Sequence, residues 1–449
     1  MERKSARASL TQGNLRMQII HLAIPMVLGM LGLTVFNIVD TFYVGMLGTK
    51  ALAALSFTFP VVLVLNSIAL GMGVGASSVI SRAMGAGDHH RVVRLTTDSL
   101  SLSFLFIVLF VILGELTIDP LFRLLGAKGE VLTLVKSYMR IWYAGLPFVV
   151  FPMVGNNAIR ALGDTKTPGI IMMIAGLVNM AVDPLLIFGV GPFPRWGVAG
   201  AAVATVFARS ITFSVALYVL VRRERIVSFK RVPMAEVLTS WREILFVGGP
   251  AAVTRVIFPV AVGVITSFLA VLGPHAVAGF GVATKVEGFA LLFTFALGAV
   301  MAPFAGQNYG AGNISRVRNG LAFASALSMG IGLLLLAILF LFARPLASLF
   351  SKDPEVIRVA VLYFHVAPLG YGLLGVFIIA STILNALRRP LEAAALSFIQ
   401  MFVLYIPLAY VGRILWGTPG IFVGITIAAA AMGIPSYFIV LRILRPKSP

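Results

Sequence analysis

The chain has 449 residues, of which 59% are hydrophobic and only 11% charged, and its mean hydropathy is +1.00. A soluble protein carries about 25% charged residues, so this chain cannot cover its core with polar surface, and its solvent is mostly lipid. The absence of cysteine excludes disulfides, thiolate metal sites, Fe–S clusters and cysteine nucleophiles.

A membrane-crossing helix needs about 20 mostly apolar residues. That ruler finds twelve segments in chain order, at 17–44, 52–80, 97–117, 134–159, 168–189, 197–221, 244–271, 276–305, 319–342, 356–386, 391–411 and 417–441. They are continuously apolar and far longer than the alternating strands of about 10 residues in a membrane barrel. The expected fold class is an all-α polytopic membrane protein with twelve transmembrane helices.

The net charge of +19 is explained by where the bases sit. With both termini cytoplasmic, the N-terminal tail and the even-numbered connections hold 22 of the 35 Lys and Arg. They include Arg3, Lys4, Arg7 and Arg16, then Arg222, Arg223, Arg225, Lys230 and Arg231, and finally Arg442, Arg445 and Lys447. This is the positive-inside bias of a multi-pass protein, expected in the plasma or inner membrane of a prokaryote. No loop is long enough to form a soluble basic face, so no nucleic-acid partner is expected. The start MERKSARASL precedes no short apolar stretch with a small-residue cleavage site, and the first helix reads as uncleaved.

One offset recurs along the chain. Adding 225 carries Pro25 to Pro250, Gly48 to Gly273, and Gly85-Ala86-Gly87-Asp88 with Arg91 to Gly310-Ala311-Gly312-Asn313 with Arg316. It also carries Pro120-Leu121 to Pro345-Leu346 and Ala161-Leu162 to Ala386-Leu387, and an offset of 220 carries Trp196-Gly197 to Trp416-Gly417. The chain therefore reads as an N-terminal six-helix lobe (1–221), a cytoplasmic basic linker (222–243) and a C-terminal six-helix lobe (244–449). Six is even, so the repeats run parallel. Pseudo-symmetric bundles of this kind build secondary transporters, with binding sites near the midplane.

The repeat is also an internal control, because a polar residue kept by one half only is not needed to fold the unit. Asp40 in span 1 pairs with Ile265, Asp183 in span 5 with Tyr405, and Thr205 in span 6 with Ile425. An ionised Asp in mid-membrane costs at least ~2.5–3.5 kcal/mol, which a cation, a partner or a proton must offset. Asn179 and Asp183 are four apart and share a helix face, and Pro184 leaves the carbonyl of Met180 without its amide donor. Asp40, Asn179, Asp183 and Thr205 can thus assemble an all-oxygen site for Na⁺, or the two carboxyls can share a proton. Elsewhere, Lys285 and Glu287 read as snorkelling to the interface. Arg140, Arg209 and Arg255 read as pairing with carboxylates or lipid headgroups. Asp98 and Glu115 lie near span ends, and His89 and His90 lie in a solvated turn.

The residues now gathered resemble those of the multidrug and toxic compound extrusion (MATE) family, along nearly the whole chain. The resemblance rests on Pro25, Asn37, Asp40, Thr41 and Gly45, on SRAMGAG ending at Gly87, and on RALGDTKTP from Arg160 to Pro168. It continues through Asn179 with Asp183-Pro184, Gly200 to Thr205, and GQNYGAGN from Gly306 to Asn313. It implies two six-helix lobes in a V, and export of cationic or amphipathic small molecules in exchange for Na⁺ or H⁺. It further implies coupling through Asp40 and Asp183 beside Asn179 and Thr205, and a substrate cavity with Asn37, Asn156 and Asn157. Two departures stand out. Span 7 reads AAVTRVIFPV after Pro250, without the acidic residue of some branches, which places the chain nearer the branch that couples through the first lobe. The frequent Tyr four residues before the helix-1 Asp is Phe36 here.

The expected mechanism is alternating access, with bending near Pro25 and Pro184, and with a coupling ion (Na⁺ or H⁺) but no cofactor. The partners expected are the substrate and membrane lipid, and a monomer is expected. Rival readings are a lipid-linked glycan flippase, which would want a basic cavity, an intramembrane enzyme, for which HExxH, GxSxG and Walker motifs are lacking, and a channel, for which no re-entrant filter segment is seen.

Overall fold

The computed structural model describes residues 10–230 and 232–445. Arg3, Lys4, Arg7, Arg231 and Lys447, counted above, lie outside them. Among the described residues every regular element is a helix. They are α1 (Leu15–Gly45), α2 (Thr49–Gly85), α3 (His89–Leu124), α4 (Gly129–Ala144), α5 (Leu146–Ala161), α6 (Lys166–Phe188), α7 (Val198–Tyr218), α8 (Met234–Ala270) and α9 (Pro274–Ala290). There follow α10 (Leu292–Gly310), α11 (Ile314–Leu341), α12 (Ala343–Ser348), α13 (Pro354–Val366), α14 (Tyr371–Ala386), α15 (Pro390–Phe398), α16 (Ile406–Trp416) and α17 (Thr418–Ile443).

Among the described residues ten helical stretches are long and apolar enough to cross a membrane, and α9 with α10, bent by 44° at Leu291, makes an eleventh. The remaining expected span is formed by α4 and α5, each of 16 residues, which meet at Gly145. Glycine at the break allows close packing, because a Cβ at Gly145 would fall 2.2 Å from a methyl of Val206 on α7. In the second half the break returns at Ala367–Gly370, a 3₁₀ turn between α13 and α14, and Gly370 stands 225 residues after Gly145. A π-helical turn follows α7 (Val219–Arg223) and another joins α15 to α16 (Ile399–Tyr405).

The chain divides into two compact units. The first comprises Pro25–Met84 and Asp88–Ala252, and the second comprises residues 10–24, Gly85–Gly87 and residues 253–445. The boundary at Pro25 lies inside α1, where proline removes the amide that would bond the carbonyl of His21, yet the helix runs on without interruption. The duplication is visible in the backbone. Gly87 and Gly312 both adopt φ of 76°, a left-handed turn that glycine makes without steric cost, and each is followed by a helix N-cap. Asp88 caps α3 by accepting from the Arg91 amide at 2.9 Å, and Asn313 stands at the start of α11.

The first unit's core is built from α2 to α5 with α7, around Phe122, Met139, Trp142 and Tyr143. The second unit's core centres on Tyr363, whose ring meets Phe280 at 5.8 Å and Phe422 at 5.0 Å. Within the first unit α1 and α6 cross closely. A Cβ at Gly29 would fall 2.8 Å from Gly169 Cα, and one at Gly169 would fall 2.4 Å from the Pro25 carbonyl oxygen. Small residues permit this approach, and it aligns the two helices that carry Asp40 and Asp183.

Candidate functional site

α1 brings Asp40 against Asp183 of α6, and the two carboxyl groups meet within hydrogen-bonding reach of each other. A hydrogen bond between them would need a proton on one group, because two carboxylates have no donor. Asp183 is fully buried, and one oxygen on each residue (Oδ1) is buried without a partner. Asn179, one turn before Asp183 on α6, is buried too. With its amide nitrogen facing Asp183 it donates to Asp183 Oδ2 at 2.7 Å and accepts from the Thr205 backbone amide at 3.1 Å. The Thr205 hydroxyl lies 3.4 Å from the same end of the amide. α7 thus fixes the orientation of Asn179, and Asn179 fixes Asp183. The amide oxygen that the sequence assigned to an ion faces Thr205 here, since Asp183 takes the donor end.

The other expected residues are placed differently. Asn156 is buried with its Oδ1 unpartnered. Asn157 is held within the fold: it donates to the Met153 carbonyl at 2.7 Å and accepts from Arg160 at 2.7 Å. It also packs on Gly73, where a Cβ would fall 2.3 Å from its side-chain nitrogen. Asn37 is exposed, and its carbonyl accepts from the Thr41 hydroxyl at 2.8 Å. Pro184 lies inside α6, which stays helical to Phe188.

One residue escaped the sequence reading, and a second was read differently there. Tyr138 of α4 is buried within electrostatic reach of both Asp40 and Asp183. Its counterpart at the 225 offset is Tyr363, so a search for polar residues kept by one half only passes over it. The second is Glu287. It does not reach for the interface, because its Oε2 accepts from the buried Tyr363 hydroxyl at 2.9 Å, with Tyr371 and Tyr405 close by. The second unit therefore sets its own carboxylate beside Tyr405, the counterpart of Asp183, and supplies it from a different helix, α9.

The specific loop motifs are structural ties. In RALGDTKTP, Asp164 accepts from the Thr167 amide at 2.9 Å and pairs with Arg223, which also donates to the Thr167 hydroxyl at 2.7 Å. In GQNYGAGN, Gln307 accepts from the Leu10 amide at 3.2 Å and Asn308 donates to the Leu10 carbonyl at 3.0 Å. Asp98 pairs with Arg94 at 2.7 Å, and Arg140 lies 3.8 Å from Glu115.

The family model MatE matches the chain twice, over residues 25–185 and 250–411, in register with the repeat. The chain is a MATE-family transporter. The enzyme reading falls away with that. Among curated relatives, a protein of Shewanella oneidensis named "FAD transporter" is 38% identical over 95% of each chain. A "Probable multidrug resistance protein NorM" of Thermotoga maritima is 28% identical over 88% of this chain and 85% of its own. Among solved structures, the Vibrio cholerae MATE transporter VcmN in the bent form superposes with a TM-score of 0.90 at 28% identity, covering 96% of this chain and 97% of that one.

Proposed function

We infer that this MATE transporter is a secondary antiporter of the bacterial inner membrane, with both termini cytoplasmic, that exports cationic or amphipathic compounds against Na⁺ or H⁺. The observation that carries the reading is the Asp40–Asp183 pair, face to face in one bundle with an unpartnered oxygen on each residue. Two charges so close and out of water are too costly to persist. A proton between the groups, or a cation on the free oxygens, relieves them. The present arrangement, with Asn179 donating to Asp183, suits the proton. Na⁺ would be held by Asp40, Asp183 and Thr205, with Asn179 turned to offer its oxygen, an all-oxygen set of the kind hard cations take.

Exchange follows from competition. Coupling ion and cationic substrate draw on the same negative charge, so loading one expels the other, and the differing affinity of each conformation sets the direction. Pro25 and Pro184 mark where α1 and α6 lack one backbone hydrogen bond and yield most easily. The test is concentrative efflux of a cationic dye from proteoliposomes under Na⁺ and pH gradients imposed separately. Asp40→Asn and Asp183→Asn are each expected to abolish gradient-driven efflux, and unchanged efflux in both refutes the assignment.

A second reading of the cargo is favoured by one comparison. The relative named for FAD is 38% identical, against 28% for the Thermotoga relative named for multidrug resistance. A flavin dinucleotide carried by the same cation-responsive cycle is the alternative.

A further inference from the structure

Arg209 lies eleven residues into α7 from Val198, about 16 Å along the axis at 1.5 Å per residue. That is the middle of a hydrocarbon layer about 30 Å thick. An arginine at such a depth belongs with a counter-ion, a carbonyl or a water-filled cavity. Arg140 has its carboxylate in Glu115. Arg209 is half-buried, and among the described residues no ion pair, hydrogen bond or ring contact engages its guanidinium. What it does face is a narrow cleft within the first unit, shared with Leu33 and Phe36 of α1, Gly176 and Asn179 of α6, and Thr205. Thr205 and Arg209 are four apart, on one face of α7.

The pocket therefore has apolar walls, a hydroxyl and a fixed positive charge with five N–H donors. We propose that Arg209 is the anion-recognising residue of this cavity and holds a phosphate group of the cargo. The planar guanidinium fork matches two oxygens of a phosphate, and the Thr205 hydroxyl can donate to a third. The carboxyl pair alone would repel such a group. Arg209 decides the sign of what enters, at the expense of cationic compounds. The assignment deepens the flavin-dinucleotide reading and rests on it for the substrate class.

The full chain in phosphatidylcholine nanodiscs is titrated with FAD, with riboflavin, which has the same ring system and no phosphate, and with a cationic dye. Wild type is expected to bind FAD about tenfold or more tightly than riboflavin, the scale of hydrogen bonds to a charged group. Arg209→Gln brings FAD down to the riboflavin level and tightens the dye. Arg209→Lys keeps part of the preference, because the charge remains and the fork is lost, and that partial rescue separates recognition from misfolding. Repeating the titration with phosphatidylglycerol present distinguishes the source of the phosphate. Unchanged FAD affinity supports a soluble cargo, whereas competition that vanishes in Arg209→Gln overturns the cargo assignment in favour of a lipid headgroup. FAD binding as tight in Arg209→Gln as in wild type, or no preference over riboflavin in wild type, overturns the proposal. Equilibrium binding needs no gradient, so its outcome is independent of the Asp40→Asn and Asp183→Asn efflux test.

Discussion

Arg316 grips Gln18 in the second unit as Arg91 grips Glu243 in the first, and arginines and partners alike are 225 residues apart. Arg91 Nη2 reaches both Glu243 oxygens, at 2.8 and 3.0 Å. Arg316 Nη2 reaches Gln18 Oε1 at 2.7 Å, and its guanidinium also donates to the carbonyls of Leu10, Gln12 and Gly13 at 3.2, 3.2 and 2.9 Å. Each half thus holds the opening turns of the other half's first helix, α1 or α8.

The two grips are unequal. Arg91 is half exposed and its pair is a surface ion pair, worth about 0–1 kcal/mol. Arg316→Ala removes four donors from carbonyl and amide oxygens and is expected to cost about 1–3 kcal/mol. Thermal unfolding in detergent compares the variants, and hydrogen exchange at residues 10–18 should accelerate only in Arg316→Ala. Equal effects would show that the carbonyl contacts contribute nothing.

The α1–α6 crossing sets the distance between the carboxyl groups. Gly169→Ala presses a methyl against the Pro25 carbonyl, where 2.4 Å is available, and backbone cannot give way cheaply. Overpacking of this kind costs about 1–3 kcal/mol. Both the melting temperature and gradient-driven efflux should fall, and efflux should fall further in Gly169→Leu. A Gly169→Leu protein that transports normally would mean that the spacing of Asp40 and Asp183 is set elsewhere.

Asn179→Ala distinguishes the coupling ions by sign. If Na⁺ couples, a ligand oxygen is lost, and half-maximal efflux requires about tenfold more Na⁺. If H⁺ couples, the donor that favours an ionised Asp183 is lost, and half-maximal efflux moves to a lower proton concentration. Ion dependence identical to wild type in both gradients would remove Asn179 from the site.

Glu287→Gln keeps an acceptor for the Tyr363 hydroxyl and changes only charge. If coupling lies in the first unit, this variant retains gradient-driven efflux where Asp183→Asn does not. Tyr363→Phe strands the carboxylate and should cost about 1–3 kcal/mol in stability. Loss of coupling in Glu287→Gln would place a second ion site in the second unit.

Much of this was legible in the sequence, because lipid demands long uninterrupted apolar runs and closed backbone hydrogen bonding. The all-α class, the repeat and the proximity of Asn179 to Asp183 follow from those constraints and from helical periodicity. The breaks at Gly145 and Gly370 were not legible, since each glycine packs against a distant neighbour, Val206 in one case and the Thr426 region in the other, that no local pattern reveals. Asn157 was expected in the cavity from the family resemblance alone; its bonds to Arg160 and the Met153 carbonyl depend on side-chain geometry that no motif shows. Comparing halves position by position exposed Asp40 and Asp183 and concealed Tyr138, which has a true counterpart in Tyr363. The same comparison sets Glu287 against Val62, but its place near a span end read as snorkelling, and its tyrosine partner on another helix was out of sight of any local pattern.

Leu10, just before α1, is synthesised long before the groups that hold it, because Gln307 and Asn308 lie 297 and 298 residues downstream. Until those residues have been synthesised, its backbone polar groups can be satisfied only by water or lipid headgroups. Assembly of the first helix therefore finishes late, and a chain cut between the halves leaves Leu10 without Gln307 and Asn308.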